Sequence, residues 1–301
     1  MPTTPKPGTP KPGTPTPGTP TPPPAPPRLS VIIPAHDEAG WIGACLGALL
    51  AQDSGAGAVE VIVAANACRD DTVARAEAFR ARFAARGWDL VVLDLPEPGK
   101  LNALNRAEAA ARGAGLVYLD ADVRCEPPLL GELAAALAAP GPVYATGRLA
   151  VAPAQSRVTR AYARIWTRLP FVESGAVGAG LFAVNREGRA RWGAFPAIIS
   201  DDTFVRLQFT PAERVEVAAR YHWPMVEGWA NLVKVRRRQD AGVAELARLH
   251  PALGANEGKA RLGPARLVRL ALGDPVGFAV YLSVHLAVRL RPAGRDWTRG
   301  R

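Results

Sequence analysis

LVYLDADVRC, residues 116–125, is an apolar run that ends in two aspartates separated by one alanine. Leu116 to Leu119 read as a buried strand. One polar residue is enough to mark the end of such a strand, and this one carries two carboxylates. At i and i+2 on an extended chain, Asp120 and Asp122 point the same way, so their charges repel. A divalent cation is the usual partner that offsets the repulsion. Polar capping of the strand end accounts for the same letters, and the motif alone is short and common.

The segments before it repeat one plan. In LSVIIPAHDE (29–38), Leu29 to Ile33 form a short buried strand closed by Pro34. Ile42, Cys45, Leu46, Leu49 and Leu50 then recur at helical spacing, with Asp37 and Glu38 near the helix start. VEVIVAAN (59–66) is a second strand, and RDDT (69–72) opens a helix continued by Val73, Ala76 and Phe79. LVVLDL (90–95) is a third strand, and PGKLNALNRAEAAARG (98–113) a helix that Gly113 is expected to stop. Strand and helix in regular alternation predict an α/β fold, a parallel sheet with helices on both faces.

Such sheets bind ligands beyond the carboxyl ends of their strands. Asp120 and Asp122 lie at such an end, and so do His36, Asp37, Glu38 and Asn66. Gly99 and Lys100 open a helix, where backbone N–H groups and the helix dipole favour phosphate. Lys100 in isolation reads as a solvated lysine; in this company it is a candidate phosphate contact.

The second half is less regular. GPVYATGRLAVAP (141–153) predicts further strands. SRVTRAYARIWTRLPF (156–171) predicts an amphipathic helix with Arg157, Arg160, Arg164 and Arg168 on one face, either solvated or turned to an anionic surface. VGAGLFAVNR (177–186) is a strand loosened by Gly178 and Gly180, which permit close backbone approach. In AIISDDTFVRLQF (197–209) a second carboxylate pair follows an apolar run. On an extended segment Asp201 and Asp202 point to opposite sides, one toward a site and the other toward a helix starting at Thr203.

Composition bounds the rest. Residues 1–27 are a Pro/Thr/Gly repeat with almost nothing to bury, and they predict a disordered or polyproline tail without signal- or transit-peptide character. Cys45, Cys68 and Cys125 match no metal-site spacing and no disulfide framework, which fits a reducing cytoplasm. Net charge is +10, and residues 189–301 hold nineteen of the 37 Lys/Arg but only ten of the 27 Asp/Glu. No nucleic-acid-binding signature accompanies this basic excess, so an anionic membrane face or phosphorylated substrate is the expected partner, not nucleic acid.

Taken together, residues 29–240 resemble the family 2 glycosyltransferases of the GT-A fold. LSVIIPAHDE resembles the family's VSVIIPxxNE, and VIVAANACRDDT its second strand and turn. GKLNALN resembles its GK-rich helix start, LDADV its DxD motif, and ISDDTFVRLQF its acidic motif. The resemblance implies a Rossmann-like, mostly parallel GT-A sheet over 28–240 and a C-terminal helical extension over 241–301. It implies a nucleotide-diphosphate-sugar donor, Mg²⁺ or Mn²⁺ held by Asp122 and Asp120, and Asp202 as the base that takes the acceptor's proton during inverting transfer. Pro34, His36, Glu38, Asn66, Lys100, Asp120 and Ala121 would line the donor side. Gly180, Asp201, Trp223, Arg237 and Arg238 would line the acceptor or diphosphate side, with Trp229 near Trp223. The acceptor would be a glycan or lipid-linked sugar of cell-envelope or exopolysaccharide synthesis.

Three departures qualify the resemblance. Ala65 stands where the family often has a base-reading Asp, leaving Asn66 beside it. The acidic motif is Asp-Asp where Glu-Asp is common. NLVKVRRRQDAG (231–242) lacks the QxxRW of processive members, which implies a non-processive enzyme. Residues 270–288 have the length of a membrane span, but Asp274 and Pro275 interrupt it. A helix lying on the inner membrane face or packed on the domain is expected instead. Three rivals remain. A phosphatase of DxDx(T/V) type expects its motif on the first strand, and a nucleotidyltransferase expects a Gly- and Arg-containing first loop. A scaffold that binds donor without activity would not need Asp120, Asp122 and Asp202 together.

Overall fold

Leu29 to Ile33 are buried without a break, and alternation within β1 (Leu29–Ala35) sends Val31 and Ile33 to one side and Ile32 to the other. The computed structural model describes residues 28–173, 176–260 and 262–290, so the tail expected over 1–27 and residues 291–301 of the extension lie outside the described residues. β1 pairs in parallel with β2 (Val59–Asn66) and β4 (Gly115–Leu119), and β2 with β3 (Asp89–Leu95). Helices cover both faces. α1 (Ile42–Leu50), α2 (Thr72–Glu77) and α3 (Arg80–Ala85) precede β3, and α4 (Lys100–Ala110) follows it. Ile42, Leu46 and Phe83 pack with Val31, Val61 and Val63, whereas Ala103, Leu104 and Ala107 pack with Ile32, Ile62 and Ala64. Burial on both faces is why these strands are continuous apolar runs.

Past β4 the sheet turns mixed. Its order is β3-β2-β1-β4-β7-β6-β8-β5, with β5 (Arg124–Cys125), β6 (Tyr144–Val151), β7 (Leu181–Asn185) and β8 (Arg214–Trp223). β7 is antiparallel to β4 and β6, β8 is parallel to β6, and β5 is antiparallel to β8. Only Asp120 to Val123 separate β4 from β5. Five Cα steps reach about 17 Å, less than the about 19 Å of four flat strand spacings. The sheet therefore curls, and the end of β8 is brought back beside the Asp120–Asp122 turn.

The helices after β5 are α5 (Leu129–Leu137), α6 (Arg157–Trp166), α7 (Pro170–Glu173), α8 (Arg186–Arg189), α9 (Asp201–Arg206), α10 (Trp229–Leu249), α11 (Pro264–Gly273) and α12 (Pro275–Leu290). A third apolar cluster joins Tyr162 and Trp166 of α6 to Leu232 of α10, Leu270 of α11 and Val284 of α12.

Several expectations need correction. Gly113 does not stop α4 with a left-handed turn, since the helix already ends at Ala110. Its role is close approach, because an added Cβ would lie 2.4 Å from Ser30 N. The helix expected from Thr72 is broken into α2 and α3. α10 runs unbroken through residue 240, so no element boundary separates domain from extension there. Residues 270–288 are two helices, not one. Asp274 sits at the break, where it accepts from Gly277 N at 2.8 Å and pairs with Arg164 Nε at 2.6 Å. Among the described residues no helix is long and apolar enough to cross a membrane. The arginine face of α6 is thus partly spent inside the fold.

Candidate active site

The site is assembled at the carboxyl ends of β1, β2 and β4. Leu119 ends β4, and Asp120 follows with its N–H donating to Gly180 O at 2.9 Å, which ties the acidic turn to the entry of β7. Gly180 has φ +75°, and a Cβ there would lie 2.7 Å from Trp223 Cδ1 and 3.0 Å from Val123 Cγ2. Glycine is required on both counts. Lys100, first residue of α4, reaches across so that Nζ lies 3.0 Å from Asp120 Oδ1 and 3.0 Å from Asp201 Oδ2. Partial desolvation disfavours its ammonium, but Asp120 and Asp201 outweigh this and hold its pKa above the ordinary lysine value.

Asp201 and Asp202 are the first two residues of α9, so the helix starts two residues before the expected Thr203 and the pair is helical instead of extended. Asp201 is buried against Lys100. Asp202 accepts from Thr203 N at 2.6 Å. Its carboxyl is pushed above the usual carboxylate range by burial and then by the Asp201 charge, with Lys100 pulling the other way. A carboxylate so raised is a better proton acceptor than an ordinary aspartate.

Two cavities meet at this residue. One, of about 120 Å³, is lined by Pro34, Lys100, Asp120, Gly180, Asp201 and Arg238. The other, of about 230 Å³, is lined by Trp166, Phe171, Arg206 and Arg236. Asp202, Trp223 and Gln239 line both. Trp223 stacks on Trp166 with ring centroids 5.8 Å apart.

The other predicted residues fall elsewhere. Asn66 is not available to read a base. Its Nδ2 donates to Ala35 O at 2.8 Å and its Oδ1 accepts from Gly99 N at 3.0 Å, so it clamps β1, β2 and the entry to α4 together. His36 Nδ1 donates to Asn66 O at 2.6 Å. Glu38 N–H donates to Thr72 Oγ1 at 2.7 Å and its carbonyl accepts the first N–H groups of α1, a structural post. Ala121 is buried in the core. Asp122 is half-buried in the turn and lines neither cavity. Arg237 donates to Ala287 O at 2.7 Å and holds α12 on α10, away from both cavities. Trp229 likewise faces α12, its Nε1 donating to Ser283 Oγ at 3.0 Å.

Sequence reasoning missed Trp166 and Gln239. Trp166 was one apolar position of an amphipathic helix, and Gln239 follows three arginines with no distinguishing pattern. Only the packing of α6 and α10 over β8 brings them to the cavities.

Metal chemistry fits the acidic turn on its donor set. Asp120 and Asp122 supply two carboxylates on one turn, and ions of the Mg²⁺ class are commonly held by one or two carboxylates together with substrate phosphates.

Comparison with known proteins agrees with this architecture. The family model described as Glycosyl transferase family 2 matches residues 30–185, which include β1 from Ser30 onward, the DADV turn and β7. The structure resembles that of the mannosyltransferase PcManGT from Pyrobaculum calidifontis, solved in complex with GDP-Man and Mn²⁺. The TM-score is 0.54 at 21% identity, over 89% of this chain and 78% of that one. It also resembles S. aureus TarS 1–349, solved in complex with UDP-GlcNAc, with TM-score 0.50 at 16% identity, over 86% of this chain and 73% of that one. At these identities the likeness is one of fold. No curated protein matches the sequence. With the GT-A fold in place and more than half of the chain matched, the protein belongs to glycosyl transferase family 2 and is a glycosyltransferase.

Proposed function

We propose that the enzyme transfers a sugar, with inversion, from a nucleotide-diphosphate sugar in the smaller cavity to an acceptor hydroxyl in the larger one. The position of Asp202 between the two cavities carries this reading. The acceptor oxygen attacks the anomeric carbon as its bond to the diphosphate breaks. Asp202 takes the hydroxyl proton, and the nucleoside diphosphate leaves with the bonding pair. Lys100 and Arg238 line the cavity that receives the departing charge. Asp120 and Asp122 would hold Mg²⁺ or Mn²⁺, which offsets charge on the diphosphate. Trp223 and Trp166 supply flat apolar faces on which a sugar ring packs.

The acceptor in this reading is a glycan or lipid-linked sugar at an anionic membrane surface. α11 and α12 leave Val268, Leu272, Val276, Leu286 and Leu290 exposed, with Arg269 and Arg289 beside them. An apolar stripe with basic flanks is the pattern of a helix that lies in a membrane interface. Cell-envelope or exopolysaccharide synthesis belongs to the same proposal and follows from the family resemblance.

Calorimetric titration of UDP, GDP and dTDP, with and without Mn²⁺, tests the donor side. One nucleotide is expected to bind in a metal-dependent manner and to lose that binding in Asp122→Ala. Nucleotide binding with neither transfer nor hydrolysis, across donor and acceptor panels, would favour the scaffold reading. A phosphoaspartate at Asp120 would favour the phosphatase.

A further inference from the structure

His36 and Asp37 follow β1, Cys68 follows β2, and the parallel pairing of these strands brings them side by side. One ligand atom from each of the three lies within 4.8 Å of the other two, and they are the one such group of three among the described residues. We propose that His36, Asp37 and Cys68 form a divalent-cation site of zinc class, separate from Asp120 and Asp122.

Four observations support it. The first is the state of the imidazole. Nδ1 faces a carbonyl, Asn66 O at 2.6 Å, so it carries a proton, and in the neutral ring the metal-binding lone pair is then on Nε2. A histidine that donates its other N–H to a backbone carbonyl is the usual arrangement around a bound metal. The second is the carboxylate. Asp37 Oδ2 lies 3.8 Å from His36 Nε2, while Oδ1 accepts from Arg69 N at 2.7 Å, which orients the group. The third is size. Tetrahedral zinc places its ligand atoms about 3.3–3.8 Å apart, so the group needs to close by about 1 Å. All three residues are partly exposed. The fourth is ligand chemistry. A thiolate with imidazole and carboxylate selects zinc over the hard ions that suit Asp120 and Asp122. The Cys68 thiol faces Ala35 O at 3.6 Å. Coordination forms the metal–sulfur bond and releases the thiol proton to water. Three protein ligands leave the fourth position to a water molecule.

The other two cysteines, Cys45 and Cys125, are buried in the apolar core. A thiolate signal from the folded protein therefore reports Cys68. The experiment titrates the metal-free full chain with Co²⁺ and follows thiolate-to-cobalt charge-transfer absorption, then adds Zn²⁺. The expected result is one charge-transfer band per chain, bleached by Zn²⁺ and unaffected by Mg²⁺. The band should be absent in Cys68→Ala, shifted to at least about tenfold higher cobalt concentration in His36→Gln, and retained in Asp122→Ala. No band, a band that survives Cys68→Ala, or a band lost in Asp122→Ala would overturn the site. Should Cys68→Ala fail to fold, alkylation of the wild-type chain decides. Zn²⁺ but not Mg²⁺ is expected to slow modification at Cys68, and equal rates with both ions would overturn the proposal. Neither readout requires a sugar donor, so failure of the transfer reading and failure of this site are told apart.

Discussion

Lys100 Nζ stands 3.0 Å from Asp201 Oδ2 and 3.0 Å from Asp120 Oδ1, so one ammonium joins the acidic turn after β4 to the start of α9. Three chain segments, the start of α4, the turn after β4 and the start of α9, are thereby held in register by a single charge. Lys100→Ala leaves the two carboxylates without it. Because the lysine side chain is 42% exposed, water screens the pair, and global stability should fall by no more than about 1 kcal/mol. Nucleotide affinity should fall by about tenfold or more, equivalent to about 1.4 kcal/mol. Calorimetric titration against thermal melting separates the two effects.

Asp202→Asn removes the proposed proton acceptor while keeping its shape. Transfer is expected to drop by about 10²–10⁴-fold, with nucleotide binding retained. In the proposed role Asp202 works only when deprotonated, and its folded pKa is raised. The rate of the wild type should therefore rise with pH through that raised pKa and then level off. A pH–rate profile checks this, and the limb should vanish in the variant.

The same shift has a stability consequence of opposite sign to the common carboxylate case. A folded pKa above the unfolded one means that the native state binds more protons between the two values. Stability contributed at this position is lost as pH rises through that window. At neutral pH Asp202→Asn should melt at or above the wild-type temperature, while at a pH below the window the gain should shrink. Paired melting curves decide it.

Gly180→Ala puts a Cβ 2.7 Å from Trp223 Cδ1 on a backbone with φ +75°. Both strain and overpacking act, and a loss of about 1–3 kcal/mol is expected. Trp223 lines both cavities, so turnover should fall as well. Denaturant titration measures the first effect and a transfer assay the second.

Leu272 and Leu290, near the C-terminal ends of α11 and α12, are each 80% exposed. Leu272→Asp with Leu290→Asp should abolish flotation with anionic vesicles and leave the folded baseline unchanged. Salt should weaken wild-type binding, because part of the attraction is electrostatic. Wild-type protein that never floats would sink the membrane reading.

The first four strands, the acidic turn and the Asp201–Asp202 pair were readable from letters alone. Continuous apolar runs reflect burial on both faces of a parallel sheet, and charge placed at the end of such a run is local information. Tertiary structure decided what depends on which ends become neighbours. The short link between Leu119 and Arg124 curls the sheet and brings Trp223 beside Asp120, an effect with no local pattern. Asn66 looked available to a ligand, yet both ends of its amide are committed to backbone groups from two other segments. Arg237 and Trp229 resembled site residues by type, and packing of α12 on α10 turned them to a structural interface. Cys68 had no metal-site spacing in the sequence, because His36 and Asp37 come to it across a strand pair instead of along the chain. Periodicity records how much of each residue is buried, whereas a site is made by side chains whose separation along the chain carries no record of their distance in space.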